Sequence, residues 1–135
     1  PIQGRREMYL EHFALNVPDP TALTDWYKDH CGIRIVDQKD DPPFTRFLAD
    51  KTGRIMVEVY GNKNAPIPDY AKQDPLVFHL AFAVENIEET KNRLVGVGAT
   101  FVSEQKTDNG SSLVMLRDPW GIPLQLVQRA VPLGE

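Results

Sequence analysis

Residues 9–17 alternate between two parities, with Phe13, Leu15 and Val17 on one and Leu10, His12 and Ala14 on the other. A period of two is the signature of a half-buried strand. After Asp19-Pro20 the period lengthens: Leu23, Trp26, Tyr27 and His30 follow helical spacing. Aspartate accepts from the free N–H groups of a first turn and proline is tolerated there, so a helix is expected to open here and to stop at Gly32. Ile33–Gln38, Phe44–Ala49 and Arg54–Tyr60 read as strands, with Asp41-Pro42-Pro43 and Lys51-Thr52-Gly53 as the turns between them.

The order strand, helix, three strands then occurs again. His79 lies 67 positions after His12, and the same offset carries Ala14 to Ala81, Val17 to Val84, Gln38-Lys39 to Gln105-Lys106 and Glu58 to Gln125. Repeats of this kind decide the architecture before any single element does. The second copy opens with an expected strand over Leu76–Val84, and Asn86 with Glu89 makes a capping box. The helix that follows ends in the Gly96–Gly98 region, and Thr100–Glu104, Ser112–Arg117 and Ile122–Gln128 complete the strands. Asp108-Asn109-Gly110 and Asp118-Pro119-Trp120-Gly121 supply the turns. The expectation is an α+β chain, 1–135 a single domain of two βαβββ repeats (about 8–60 and 76–128) joined by the linker 61–75. That linker is stiffened by Pro66, Pro68 and Pro75 and is long enough to suggest a lid.

Strand parity gives the repeat chemical content. His12, Glu58, His79 and Gln125 each fall opposite the bulky apolar residues expected to pack on a helix, and small alanines accompany both histidines. One such residue alone reads as an open sheet face meeting water. Four in two repeat-equivalent pairs, offering imidazole, carboxylate and amide oxygen, suit a borderline divalent ion such as Zn²⁺, Ni²⁺, Co²⁺, Mn²⁺ or Fe²⁺. Met56 and Tyr60 share the face of Glu58 and are candidate pocket walls.

Composition narrows the field. A net charge of −4 over 135 residues lacks the basic stripe of a nucleic-acid binder. No apolar run approaches the roughly 20 residues of a membrane span, and without a signal peptide the cytoplasm is the expected compartment. Cys31 is the single cysteine, which excludes an intrachain disulfide and a Cys-rich zinc site. It reads as helix-end packing, His30 as an exposed helix C-terminal residue, Trp26 and Tyr27 as core or dimer contacts, and Arg46, Lys63 and Arg117 as surface charge. Trp120 reads equally as pocket lining or surface packing.

The segments Glu11-His12-Phe13-Ala14-Leu15-Asn16-Val17, Trp26-Tyr27 before Gly32, Val57-Glu58-Val59-Tyr60, Phe78-His79-Leu80-Ala81-Phe82 and Asp118-Pro119-Trp120-Gly121-Ile122-Pro123-Leu124-Gln125-Leu126 together resemble the vicinal oxygen chelate superfamily, also called the glyoxalase/bleomycin-resistance/dioxygenase family. The resemblance covers nearly the whole chain. It implies paired βαβββ modules forming a cup-shaped mixed sheet with helices outside, a divalent ion held by His12, Glu58, His79 and position 125, and commonly a homodimer. The family usually has Glu where this chain has Gln125. An amide ligates through oxygen but takes no proton, so Glu58 is left as the one carboxylate of the set and the candidate catalytic base. Two neutral imidazoles, one carboxylate and one amide leave a dication with one net positive charge, which polarises a bound carbonyl more than a neutral site does.

Three functions follow from the resemblance. The leading one is a metal-dependent, glyoxalase I-like lyase or isomerase acting on a small oxygen-chelating substrate through an enediolate-like intermediate. His12, His79 and Glu58 also make the two-His-one-carboxylate set of a non-haem Fe(II) dioxygenase. The third is a non-catalytic, bleomycin-resistance-like binder of a small molecule.

Overall fold

The computed structural model describes residues 7–134. Its elements run β1 (His12–Asn16), α1 (Pro20–Cys31), β2 (Arg34–Gln38), β3 (Arg46–Ala49), β4 (Met56–Tyr60), a 3-10 turn (Tyr70–Lys72), β5 (Leu80–Ala83), α2 (Ile87–Gly96), β6 (Thr100–Lys106), β7 (Ser112–Arg117) and β8 (Pro123–Gln128). Contacts cluster into two units, the first ending at Pro68 and the second beginning at Asp69. Each is a four-stranded sheet with one helix, in strand order β1-β4-β3-β2 and β5-β8-β7-β6. The first and last strands of each unit run parallel and the other pairs antiparallel. The topology is βαβββ twice, an α+β fold.

Local chemistry sets the helix ends. The Asp19 carboxylate accepts from the Ala22 N–H at 3.0 Å, and Gly32 closes α1 at φ 68°, a left-handed position that favours glycine. The Asn86 side chain caps α2 by accepting from the Glu89 N–H at 3.1 Å. In the first unit α1 packs on β2, β3 and β4. It buries Leu23, Trp26 and Tyr27 beside Leu15, Leu48 and Val59. In the second, α2 covers β6, β7 and β8, with Leu94 over Val114, Leu116, Leu124 and Leu126 in the core.

β1, β3 and β4 start two or three residues later than expected, at His12, Arg46 and Met56, and the largest departure is at β5. The alternating run Leu76–Val84 suggests a strand throughout, but β5 starts at Leu80. Asp74 diverts the first residues: its side chain accepts from the Leu76 N–H and its carbonyl from the Val77 N–H, both at 2.9 Å. A local turn satisfies those donors without a sheet partner. Leu76 and Val77 are consequently 86% and 73% exposed.

The turn between β3 and β4 is fastened by Asp50, whose carboxylate accepts from the Thr52 hydroxyl at 2.6 Å and from the Thr52 and Gly53 N–H groups. The Thr52 hydroxyl is the main cause that holds this carboxyl below its ordinary value, against a smaller opposing effect of burial. A folded-state pKa below the unfolded one stabilises above the unfolded value, and the effect is lost as pH falls through the folded value. Thr52→Ala should move the Asp50 midpoint upward in a carboxyl ¹³C titration and shrink that acid-side loss of stability.

A second close fit joins the β7–β8 turn to the 3-10 turn. Gly121 sits at φ 87°, and a Cβ there would lie 2.6 Å from Ala71 Cβ and 2.8 Å from its backbone Cα and N. Gly110, at φ 89°, has open space around it. Urea denaturation should therefore show Gly110→Ala costing about 1 kcal/mol, the backbone effect alone, and Gly121→Ala clearly more, on the order of 2–4 kcal/mol.

Candidate functional site

The register of the parallel strands positions the candidate residues. In the first unit Ala14 lies opposite Glu58 and His12 opposite Met56. Phe47 on β3 lies on the other side of Glu58. His12, Ala14, Asn16, Phe47, Met56, Glu58 and Tyr60 thus share one sheet face, opposite the face that buries Leu15 and Val59 beside α1. His12 Nε2 stands 3.6 Å from Glu58 Oε1, too far for a hydrogen bond. Its Nδ1 is 2.8 Å from Glu11 Oε1. The Phe47 ring meets the imidazole edge-on, with centroids 5.4 Å apart.

The second unit repeats this register. Ala81 lies opposite Gln125, and Met115 takes the place that Phe47 has beside Glu58. His79 sits at the residue before β5, two positions ahead of Ala81 just as His12 is of Ala14. Its Nδ1 is 2.8 Å from the Pro75 carbonyl oxygen. A carbonyl only accepts, so Nδ1 carries the proton and the Nε2 lone pair points elsewhere. An ionised Glu11 fixes His12 in the same tautomer.

These donors fit a divalent ion. Both imidazoles have Nδ1 held by an outer acceptor, the arrangement usual in metal-ligating histidines, which leaves Nε2 as the ligating nitrogen of the neutral ring. Two ligands at about 2.0–2.2 Å from one ion, at angles between octahedral and tetrahedral, lie about 2.8–3.6 Å apart. The His12–Glu58 separation of 3.6 Å falls at the upper edge of that interval. Among the described residues no three His, Cys, Asp or Glu side chains are gathered for an ion; the first unit brings His12 and Glu58 together as a pair.

The segment 61–75 is tied down from both ends. Asn16 donates to the carbonyls of Asn62, Ala65 and Pro66 at 2.9, 3.3 and 3.1 Å and accepts from the Asn62 N–H. In the second unit Arg117 donates to the carbonyls of Tyr70, Gln73 and Gly121 at 2.9, 2.7 and 3.0 Å. Arg117 therefore braces the turn that leads to Pro75 and His79. Arg46, expected at the surface, is instead buried and donates to the carbonyls of Lys39 and Phe44 at 2.7 and 2.9 Å. It holds a turn in which Phe44 adopts φ 60°, costly for a residue with a Cβ. Trp26 and Tyr27 belong to the core, and Trp120 is half-buried.

Of these residues, sequence reasoning gave no role to Asn16, Phe47 and Glu11, and it read Arg117 as surface charge. The parity of His12 contained Asn16, four residues on. The roles of Arg117 and Glu11 depend on loop paths that no periodicity encodes.

A family model for the glyoxalase/bleomycin resistance protein/dioxygenase superfamily matches residues 9–126. The chain belongs to that superfamily. Solved structures with the same fold include a glyoxalase family protein from Enterococcus faecalis, 26% identical, with a TM-score of 0.66 over 91% of this chain and 98% of that one. An antibiotic-binding protein from Streptomyces sp. CB03234 is 16% identical, with a TM-score of 0.72 over 94% of this chain and 100% of that one. A glyoxalase I mutant from Zea mays is 20% identical, with a TM-score of 0.70 over 91% of this chain but 46% of that longer one. No curated protein matches the chain. Among the described residues no helix is long and apolar enough to cross a membrane.

For this superfamily member, Arg117→Met should lower stability by about 2–3 kcal/mol, since three carbonyls lose a charged donor. Amide exchange should quicken at 70–79 before the rest of the second unit. Arg117→Lys should recover only part, because an ammonium cannot reproduce the planar fork.

Proposed function

We propose that the protein is a divalent-metal-dependent lyase or isomerase of the glyoxalase type, with His12, Glu58, His79 and Gln125 together as the ligands of one ion. The observation that carries this reading is the paired Nδ1 contact: each repeat rests its imidazole Nδ1 on an oxygen 2.8 Å away, and the first sets Nε2 3.6 Å from a carboxylate oxygen. When bound, the ion supplies Lewis acidity toward two neighbouring oxygens of a small substrate. Glu58 takes the proton from the carbon beside the carbonyl and delivers it to the former carbonyl carbon, while the hydroxyl proton passes to the former carbonyl oxygen, so an isomerisation leaves the enzyme unchanged. Gln125 has no proton to exchange and serves only to ligate and orient. Phe47, Met56 and Tyr60 wall the same face as Glu58 and favour a compact, partly apolar substrate.

A homodimer accompanies this reading. Its support is a pair of exposed apolar segments at repeat-equivalent places, Tyr9-Leu10 (66% and 62% exposed) before β1 and Leu76-Val77 before β5.

Metal analysis of protein purified without added metal should find a divalent ion near stoichiometry with the His12–Glu58–His79–Gln125 set, and the His12→Ala, His79→Ala double variant should lose it. Full occupancy in that variant rejects the site, and an empty wild type that binds small molecules moves the protein to the binding branch of the superfamily. Oxygen consumption on turnover would instead place it with the dioxygenases. In candidate hydroxy-ketone or hemithioacetal substrates, proton–deuterium exchange beside the carbonyl should fall about 10²–10⁴-fold in Glu58→Gln. The near-isosteric amide keeps the fold and some metal, so an untouched exchange rate would demote Glu58 to a ligand.

A further inference from the structure

The two repeats present equivalent histidines, but the groups behind them are not equivalent. His79 Nδ1 rests on a neutral carbonyl, that of Pro75, at 2.8 Å. His12 Nδ1 rests on a carboxylate, that of Glu11, also at 2.8 Å. The residue 67 positions after Glu11 is Phe78, which carries no acceptor in its side chain. Glu11 precedes β1, so it escapes the strict alternation that would send neighbouring side chains to opposite faces. The same unit carries the carboxylate Glu58, and its counterpart in the second unit is the amide Gln125.

We infer that Glu11 is a positioning residue that holds His12 in its Nδ1–H tautomer and supplies, from behind the imidazole, the negative charge that Gln125 does not bring to the ion. This inference rests on the metal site proposed above. A carboxylate accepting from Nδ1–H makes Nε2 a stronger donor than a carbonyl does, because partial transfer of the proton leaves the ring more electron-rich. With Glu11 counted, the group of His12, Glu58, His79, Gln125 and a dication carries no net charge. The Glu11 carboxylate is 58% exposed, so solvent screens its charge and the effect on affinity belongs at the lower end of what outer partners give. Its effect on the tautomer acts through the direct 2.8 Å contact with Nδ1.

The test uses the whole chain stripped of metal and then titrated with Zn²⁺ or Co²⁺. Long-range ¹H–¹⁵N spectra of the metal-free wild type should show His12 as the Nδ1–H tautomer. In Glu11→Ala the ring should populate the Nε2–H form, and affinity for the ion should fall about 10-fold, within the range of 10–100-fold seen for outer partners. Glu11→Gln, which keeps an acceptor and removes the charge, should restore the tautomer and leave affinity between the two. Asp29→Ala removes the same charge from the exposed side of α1 and should change neither readout. An unmoved tautomer and affinity in Glu11→Ala, while His12→Ala still abolishes binding, overturns the inference and leaves the metal site standing. A wild type that binds neither ion overturns both.

Discussion

The parallel pairing of the first and last strand in each unit is the constraint from which the rest follows. Parallel neighbours need a crossover long enough to carry the chain back, and here it consists of a helix and an antiparallel pair of strands. The helix covers one face of the sheet and takes the bulky apolar residues with it. The opposite face receives whatever alternates with them. In the first unit that places Ala14 opposite Glu58, and in the second Ala81 opposite Gln125. In the first unit His12, two residues upstream of Ala14, is then on the same face, beside a side chain too small to obstruct it, and His79 stands at the same spacing just before β5. A slip of one residue would turn every one of these groups into the core, so the packing that stabilises the fold also fixes the placement of the polar pairs.

On this common scaffold the two repeats have diverged in charge. Positions 58 and 125 are Glu and Gln, positions 11 and 78 are Glu and Phe, and the side chain beside the ligand position is Phe47 in one and Met115 in the other. Both carboxylates lie in the first unit, on either side of a single imidazole. The second unit keeps the register and the tautomer but uses neutral atoms throughout. On the proposed reading, proton transfer belongs to the first repeat and neutral ligation to the second.

The repeat, the topology and the parity of the four polar residues were legible because each depends on periodicity that runs the length of an element. Ser112–Arg117 is a strand in the sequence pattern and in the structure alike, since Leu113 to Leu116 gives a sheet nothing to contradict. Leu76-Val77 misled because its apolar character fits a strand equally well, and only the competing acceptor Asp74 decides otherwise. Arg46 and Arg117 were read as surface charge because a sequence shows the guanidinium but not the carbonyls that its folded turns leave without partners. The brace from Arg117 through the Gln73 carbonyl toward Pro75 and His79 depends on a loop path, which carries no period at all.

Those two arginines also bear on what the proposed site can select. A guanidinium that is buried, as in Arg46, or half-buried, as in Arg117, and already donates to two or three backbone carbonyls cannot turn to a substrate anion without leaving those carbonyls unsatisfied, at a cost of about 1–3 kcal/mol for each. These two guanidinium groups are thereby committed to the backbone. On the face of the first unit that carries Glu58, the neighbours are an imidazole, an aromatic edge, a thioether, a phenol and a carboxamide. Such a surface would, on the proposed reading, discriminate mainly by shape and by the position of oxygen atoms. On the proposed reading, an oxygen-chelating substrate would be drawn by the ion and oriented by Phe47, Met56 and Tyr60. That division assigns attraction and selectivity to different groups, and it explains how one scaffold can serve a lyase, an oxygenase or a drug binder by exchanging wall residues while the register stays fixed.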